Sequence, residues 1–334
     1  MQKSFTKAMM MGMHHGFWGK LKKPFMIMAP LADVTDAVFR LLIAEQYPPD
    51  VMYTEFVSAD GLCHPKGREK LLIDLKYSEL ERPIVAQLFT GKPEKMREAA
   101  ALCAELGFDG IDINMGCPDR KVEKQGASAA LIKDPTRAQA IIRAAQEGAG
   151  GLPVSVKTRI GYSSVNEFEN WIGAVLETEP AVVTLHLRTR DEMSKVPAHW
   201  EFARKLVELR GNRKILLAGN GDVVDLTDAR TKAAESGLDG IMLGRAIFGN
   251  PWLFAGKHRE DIPYPQRMRV MLEHTKRFEE AYVSTKTKNF AIMRKFYGEY
   301  IAGHPHAKQF REELMECEDY AQVAEVVRKF TLPA

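Results

Sequence analysis

The stretch from Gly110 to Leu131, GIDINMGCPDRKVEKQGASAAL, holds the residues best suited to chemistry. Ile111 and Ile113 alternate with Asp112 and Asn114 as in a strand, so the two polar side chains share one face. Gly116, Cys117 and Pro118 then end the strand, because glycine permits close backbone approach and proline cannot continue a ladder. A single thiol is expected at the mouth of a strand instead of inside a core. Polar or conformationally special residues end the other apolar segments: Ala29, Pro30 and Leu31, Thr54 and Glu55, Gln87, Lys157 and Arg159, His186 and Arg188, Asn220 to Asp222, and Gly244 with Arg245. Taken alone, His186 reads as a satisfied core histidine, and a buried Lys157 would be costly without a negative partner. Converging on one end of a sheet, they read as a site.

The elements that must position these groups are legible from periodicity. Eight apolar segments start at Phe25, Val51, Pro83, Gly110, Pro153, Ala181, Lys214 and Gly240, each followed by a loop and a helical pattern. This is the count and size of a (β/α)8 TIM barrel in the α/β class, and an open doubly wound sheet is the alternative. Pro93 to Leu106 predicts a helix with Met96, Ala99, Ala100 and Cys103 on its apolar face, which makes Cys103 a packing residue. Asp134 and Pro135 mark another helix start.

After Pro251 only helical patterns remain, which predicts a smaller all-helical C-terminal domain. The expected divisions are a basic extension over 1–22, the barrel over 23–254 and the helical domain over 255–334. Ten Lys or Arg against four Glu between Tyr264 and Arg311 suit phosphate contacts, and solvated helix faces account for them equally well. Net charge is only +3, so no polyanion partner is announced by the whole chain. The four cysteines form no CxxC pair, which argues against zinc and a disulfide scaffold and suits a reducing, cytoplasmic setting. No metal site, signal peptide or membrane span is expected.

The last two strand segments specify a ligand. AGNGD and LGRAIFGNP offer glycine-lined N–H groups where barrels bind phosphate, and Arg245 can add a bidentate contact. No GxGxxG opens a helix there, so a mononucleotide fits better than a dinucleotide. With Lys157 placed to stabilise negative charge on a reduced ring, flavin mononucleotide (FMN) is the natural candidate.

DINMGCP, with Val122, Gly126 and Leu131 behind it, resembles the signature of the tRNA-dihydrouridine synthases. MAPLADVTDAVFR, QLFTG, VKTRIG, LHLRTR, GNGDV, LGRAIFGNPW, RKFYGEY and QFREEL extend the resemblance along most of the chain. It implies flavin-dependent reduction of the C5–C6 bond of particular tRNA uridines, with NADPH as reductant and Cys117 as general acid. It also implies flavin contacts from Pro30, Leu31, Ala32, Gln87, Lys157, His186, Asn220, Gly221, Asp222, Gly244 and Arg245. Asn114 and Arg159 are implied on the uracil, joined by Arg188 on the substrate side. The helical domain is implied to hold tRNA, with a flipped uridine reaching the barrel mouth, and the protein is expected to be a monomer. A flavin barrel acting on a free pyrimidine is the alternative. Ser128 stands where the family usually has a second glycine, Leu187 where a glycine often follows the histidine, and His199 where an acid commonly precedes Trp200. The first two are expected to shift loop backbone near the site.

Overall fold

Short β-rich segments separated by amphipathic helices fold here into one parallel sheet wrapped by helices. The computed structural model describes residues 15–331. Its strands are β1 (Phe25–Met28), β2 (Met52–Tyr53), β3 (Val57–Ser58), β4 (Ile84–Phe89), β5 (Gly110–Met115), β6 (Val154–Arg159), β7 (Val182–His186), β8 (Leu216–Asn220) and β9 (Gly240–Leu243). Eight of them run in the order β1-β9-β8-β7-β6-β5-β4-β2 with every pairing parallel. The bridge between Ile27 and Val51 brings β1 to β2 and completes the ring, so the expected TIM barrel is borne out. The segment from Val51 splits, because after Tyr53 the chain leaves the sheet and returns as β3 against the end of β4.

The period-2 alternation sorts each strand into two layers. One face, including Ile84, Leu88, Ile111, Ile113, Val183 and Leu217, meets the surrounding helices in a large apolar core. The other face fills the barrel: Phe25, Ile27, Val51, Tyr53, Val85, Val182, Leu216 and Met242 pack around the axis. Trp18, in a 3-10 turn over Gly16–Lys20, closes the N-terminal end against Phe25 with ring centroids 5.4 Å apart. Trp18, with Phe17 and Leu21 packed partly buried beside it, therefore joins the barrel core while Gly19, Lys20 and Lys22 stay exposed, and residues 1–14 lie outside the described residues.

The helices around the barrel are α1 (Ala37–Gln46), α2 (Ala59–Leu62), α3 (Pro65–Leu71), α4 (Pro93–Glu105), α5 (Arg120–Glu123), α6 (Pro135–Gly148), α7 (Phe168–Leu176), α8 (Glu201–Arg210) and α9 (Leu226–Ser236). The α4 face buries Met96, Ala99, Ala100 and Cys103, and the Asp134 side chain caps α6, as the sequence predicts. No long helix follows β9 directly. Short 3-10 turns lead to α10 (Tyr264–Phe278), α11 (Arg294–Tyr300), α12 (Ala307–Glu316) and α13 (Tyr320–Thr331), the expected C-terminal helical region.

This region is fused to α1 by aromatic packing. Phe39 stacks on His274 and tilts against Phe296, each at 5.0 Å, and one continuous core runs from the barrel helices to Val327. Burial first, and then the Arg277 charge, push the His274 imidazole down to about 3, so it sits neutral among these rings. Beside this junction Arg40 is fully buried, with its Nε 2.6 Å from Glu81 Oε2 and its Nη1 2.8 Å from the Thr35 carbonyl. Glu81 Oε1 in turn accepts the Ser78 N–H at 2.7 Å, so both buried charges are satisfied.

Candidate active site

At the C-terminal end of the strands the barrel interior changes from apolar to polar and opens into a cavity of about 800 Å3. The β5 side chains begin the site. Asp112 lies deepest, accepting from Ser155 Oγ at 2.6 Å and from Gln87 Nε2 at 2.7 Å, and burial pushes its carboxyl up to about 6. One layer higher, Asn114 Nδ2 donates to Gln87 Oε1 at 3.0 Å. Asn114 Oδ1 accepts three donors: the Gly116 N–H at 3.1 Å, the Cys117 N–H at 3.0 Å and Ser128 Oγ at 2.7 Å. Two backbone N–H groups can only donate, which fixes the orientation of the amide. Asn114 thus presents a single N–H to the cavity, its acceptor being engaged by the thiol loop.

Cys117 follows on that loop, partly exposed to the cavity. Burial raises the thiol above its ordinary value, outweighing the lowering effects of the Asp119 N–H, Arg159 and Lys157. The group is therefore protonated at neutral pH.

The neighbouring strand β6 carries two cations. In register Lys157 stands beside Asn114, and Arg159 follows two residues later on the same face. Arg159 is tied down, its Nε donating to the Gly116 carbonyl at 2.7 Å and its Nη1 to the carbonyls of Thr189 and Met193 at 2.9 and 3.1 Å. Lys157 is different: no hydrogen bond or ion pair reaches its ammonium among the described residues, although it lines the cavity. Burial first, and then the Arg159 charge, push it down to about 8. His186 at the end of β7 is held well below its usual range by burial and by Arg159, Lys157, Arg188 and Arg245, so it is a neutral imidazole. Among these side chains a bound anion or electron-rich ring would meet net positive charge.

Asp222 organises the far wall. Its carboxylate accepts from Arg188 Nη2, from the Ala198 N–H at 2.9 Å and from Arg245 Nη2 at 2.6 Å. It holds two guanidiniums in place and spends its own charge on them. Gly221 has φ +131°, and a Cβ there would come within 2.9 Å of Ala198 Cβ, so only glycine fits. Asn220 anchors the end of β8 by donating to the Met242 carbonyl at 2.8 Å.

Pro30, Leu31, Ala32, Asn114, Cys117, Lys157, Arg159, His186, Arg188, Asn220, Gly221, Asp222, Gly244 and Arg245 all line this one cavity. Gln87 does not: it is fully buried beneath Asn114, one layer under the floor. Sequence reasoning missed Phe56, which tilts edge-on against Phe89 at 5.6 Å, and the rim residues Met193 and Val224. Met193 has φ +55°, uncommon for a residue with a Cβ, and Val224 is 67% exposed. Their positions follow from loop paths, which leave no periodic signal.

The departures from the family pattern have distinct outcomes. Ser128 takes φ +55°, a backbone region that glycine enters freely and serine seldom does. Leu187 is not among the residues with positive φ; it is buried, with its N–H on the Asn220 carbonyl at 2.9 Å. His199 pairs with Glu192 at 2.9 Å and Glu201 at 3.4 Å.

In the helical region a groove of about 1050 Å3 lies between α11 and α12, lined by Arg294, Lys295, Lys308 and Arg311 with Glu299, Glu312 and Glu316. Four of the ten basic residues counted there are withdrawn from solvent. Arg267 donates to the Ala302 carbonyl, Arg277 pairs with Glu45 and Glu273, Lys288 with Glu55, and Arg294 is half-buried. Arg269, Lys276, Lys286, Lys295, Lys308 and Arg311 stay exposed. Lys295 also reaches Asp33 at 3.4 Å, next to the cavity residue Ala32, so groove and cavity mouth adjoin. No group of three or more potential metal ligands occurs among the described residues, and no helix there is long and apolar enough to cross a membrane.

Comparison with known proteins agrees with this architecture. Among solved structures, the fold resembles 6-hydroxypseudooxynicotine amine oxidase from Pseudomonas geniculata N1 (TM-score 0.54, 12% identity, 86% of this chain and 53% of that one). It also resembles histamine dehydrogenase from Rhizobium sp. 4-9 (TM-score 0.52, 12% identity, 75% of this chain and 48% of that one). At sequence level, the chain is 41% identical over 320 residues to a probable tRNA-dihydrouridine synthase of Staphylococcus epidermidis, covering 95% of this chain and 97% of that one. It is 39% identical to probable tRNA-dihydrouridine synthase 2 of Bacillus subtilis, with the same coverage. Residues 27–333 match the dihydrouridine synthase (Dus) family, and the chain belongs to that family.

Proposed function

We propose that this protein reduces the C5–C6 double bond of specific tRNA uridines to 5,6-dihydrouridine, using FMN recharged by NADPH, with Cys117 as general acid. The observation that carries the reading is the convergence of a protonated thiol and an unpartnered ammonium on one cavity. A partly buried lysine that feels Asp112 only at a distance, with no hydrogen-bonded partner, is costly unless a ligand supplies closer counter-charge, and an electron-rich flavin ring would supply it.

The residues present fit an FMN. The cavity is large enough, Gly221 leaves space where any side chain would clash, and Arg245 stands at its rim beside the backbone of Gly244. Pro30, Leu31, Ala32, Lys157, His186 and the Asn220 to Asp222 segment would hold it, with Gln87 acting from below through Asn114 and Asp112. When bound, the reduced flavin supplies the hydride that reaches C6 of the uracil.

The remaining work falls to the chain. Cys117 gives its S–H proton to C5 and regains one from solvent, a role that its raised pKa suits. Asn114 offers one N–H and Arg159 its unshared Nη2 to a uracil carbonyl, while Arg188 is fastened between Asp222 and the Val196 carbonyl and orients the wall. A uridine must leave its stack to reach this depth, and the exposed lysines and arginines of the adjoining groove are the surface on which the helical region would hold the tRNA body. The chain would act in the cytoplasm, as a monomer.

The direct test incubates the protein with FMN, NADPH and unmodified tRNA transcripts and maps dihydrouridine by position. Conversion at defined uridines is expected, with none on free uridine; turnover of uridine without RNA overturns the tRNA assignment. Cys117→Ala is expected to retain flavin and lose about a hundredfold or more of the rate, and an unimpaired variant removes the thiol from the mechanism.

A further inference from the structure

The loop that carries Cys117 is held by a serine in a conformation that serine seldom adopts. Ser128 is fully buried with φ +55°, a region that disfavours residues with a Cβ. Such strain persists where surrounding contacts hold it, and here the contacts are specific. Ser128 Oγ donates to Asn114 Oδ1 at 2.7 Å and accepts the Cys117 N–H at 2.7 Å, while that same N–H lies 3.0 Å from Asn114 Oδ1. The three groups form a closed triangle. On its other side the Cys117 carbonyl accepts the Ala129 N–H at 3.4 Å, so the residue after Ser128 completes the grip on the thiol residue.

A glycine could take the same backbone with less strain but has no hydroxyl to close the triangle. Without it, Asn114 is left with two of its three donors and the Cys117 N–H without its shorter bond, so that N–H rests on one longer hydrogen bond to the Asn114 amide. We propose that Ser128 is a positioning residue for the proton-donating thiol, fixing Cys117 through its backbone N–H and through Asn114; this rests on Cys117 having the acid role given above. The proton path itself does not pass through Ser128, whose single hydrogen is committed to Asn114.

Ser128→Gly removes the hydroxyl while easing the backbone, and Ser128→Ala removes it while keeping the Cβ. In single-turnover reactions with tRNA, both are expected to slow dihydrouridine formation from pre-reduced enzyme by about tenfold to a hundredfold. Flavin reduction by NADPH, which does not use the thiol, is expected to keep its rate, and the melting temperature of Ser128→Gly is expected to fall less than that of Ser128→Ala, which loses the same hydroxyl and keeps the strained Cβ. The second readout needs neither tRNA nor flavin: alkylation of Cys117 by iodoacetamide, followed by peptide mass, is expected to speed up roughly threefold or more as the loop loosens. Unchanged dihydrouridine formation, unchanged alkylation, or an equal loss in flavin reduction each overturns the proposal. If the natural chain forms no dihydrouridine at all, the functional reading fails by itself, and the alkylation rates still decide whether Ser128 holds Cys117.

Discussion

A buried arginine and a partly buried lysine in this molecule are handled in opposite ways. Arg40, on the helix layer, is 0% exposed and sits against Glu81, itself 1% exposed, with carbonyls taking its remaining donors. Lys157, in the barrel mouth, feels the Arg159 charge against it more than the Asp112 charge in its favour, and has no hydrogen-bonded partner among the described residues. The first arrangement resolves its desolvation cost inside the fold; the second leaves it standing. A protein keeps an unresolved charge where a ligand will resolve it, so the contrast separates a structural cation from a functional one.

The largest test of that contrast removes the satisfied cation. Arg40→Met leaves the Glu81 carboxylate buried with only the Ser78 N–H beside it, and is expected to cost about 3–5 kcal/mol of stability. Replacing both as Arg40→Met with Glu81→Leu is expected to recover most of that loss. Denaturant titration distinguishes the two, and a single variant as stable as the natural chain would mean that the pair is not coupled.

Lys157→Met is expected to act with the opposite sign. Its ammonium is pushed from 10.5 down to about 8, so below about pH 8 it is charged in both folded and unfolded chains and the penalty is fully present. Between about pH 8 and 10.5 the unfolded chain binds more protons, and stability rises with pH until the penalty is gone. Relative to the natural chain, the flavin-free variant should gain up to about 3 kcal/mol at neutral pH and lack this rise. Melting temperatures from pH 7 to 10 measure both. FMN binding, followed by flavin fluorescence, should weaken by about tenfold or more. A variant less stable than the natural chain at pH 7 would place Lys157 with Arg40 as a structural residue.

The sequence conveys this contrast only in part. Alternation of Ile111 and Ile113 with Asp112 and Asn114 gives the strand, its facing and the thiol after it, because side-chain period and proline chemistry are local. Eight repeats of that pattern give the barrel. Depth along the barrel axis is not local: Gln87 carries the same residue type a cavity wall would use, yet lies one layer beneath. The saturation of the Asn114 oxygen depends on Ser128, fourteen residues away. Trp18 looks like part of a basic leader until Phe25 is seen beneath it. Net basic charge in the tail overstated its free surface, since Arg267, Arg277 and Lys288 each find partners in other elements.

The smallest expected effect sharpens the comparison from the surface side. Lys295 is half-exposed and pairs with the equally exposed Asp33 at 3.4 Å, an interaction worth about 0–1 kcal/mol. Unlike Arg40 it is not needed by the fold, and unlike Lys157 its charge is already solvated. Arg294 beside it makes a poorer probe, because it is half-buried and donates to the Cys317 carbonyl at 3.2 Å. Charge reversal at Lys295, alone and with Lys308 and Arg311, is therefore expected to leave the melting temperature nearly unchanged. For every cation that no longer meets a phosphate, the slope of log affinity for tRNA against log salt should fall by about one, with flavin reduction by NADPH unaffected. Unchanged tRNA binding in the triple variant would mean that the α11–α12 groove is only a solvated face. The RNA surface would then lie elsewhere, with Lys3 and Lys7 of the N-terminal segment as the next residues to reverse.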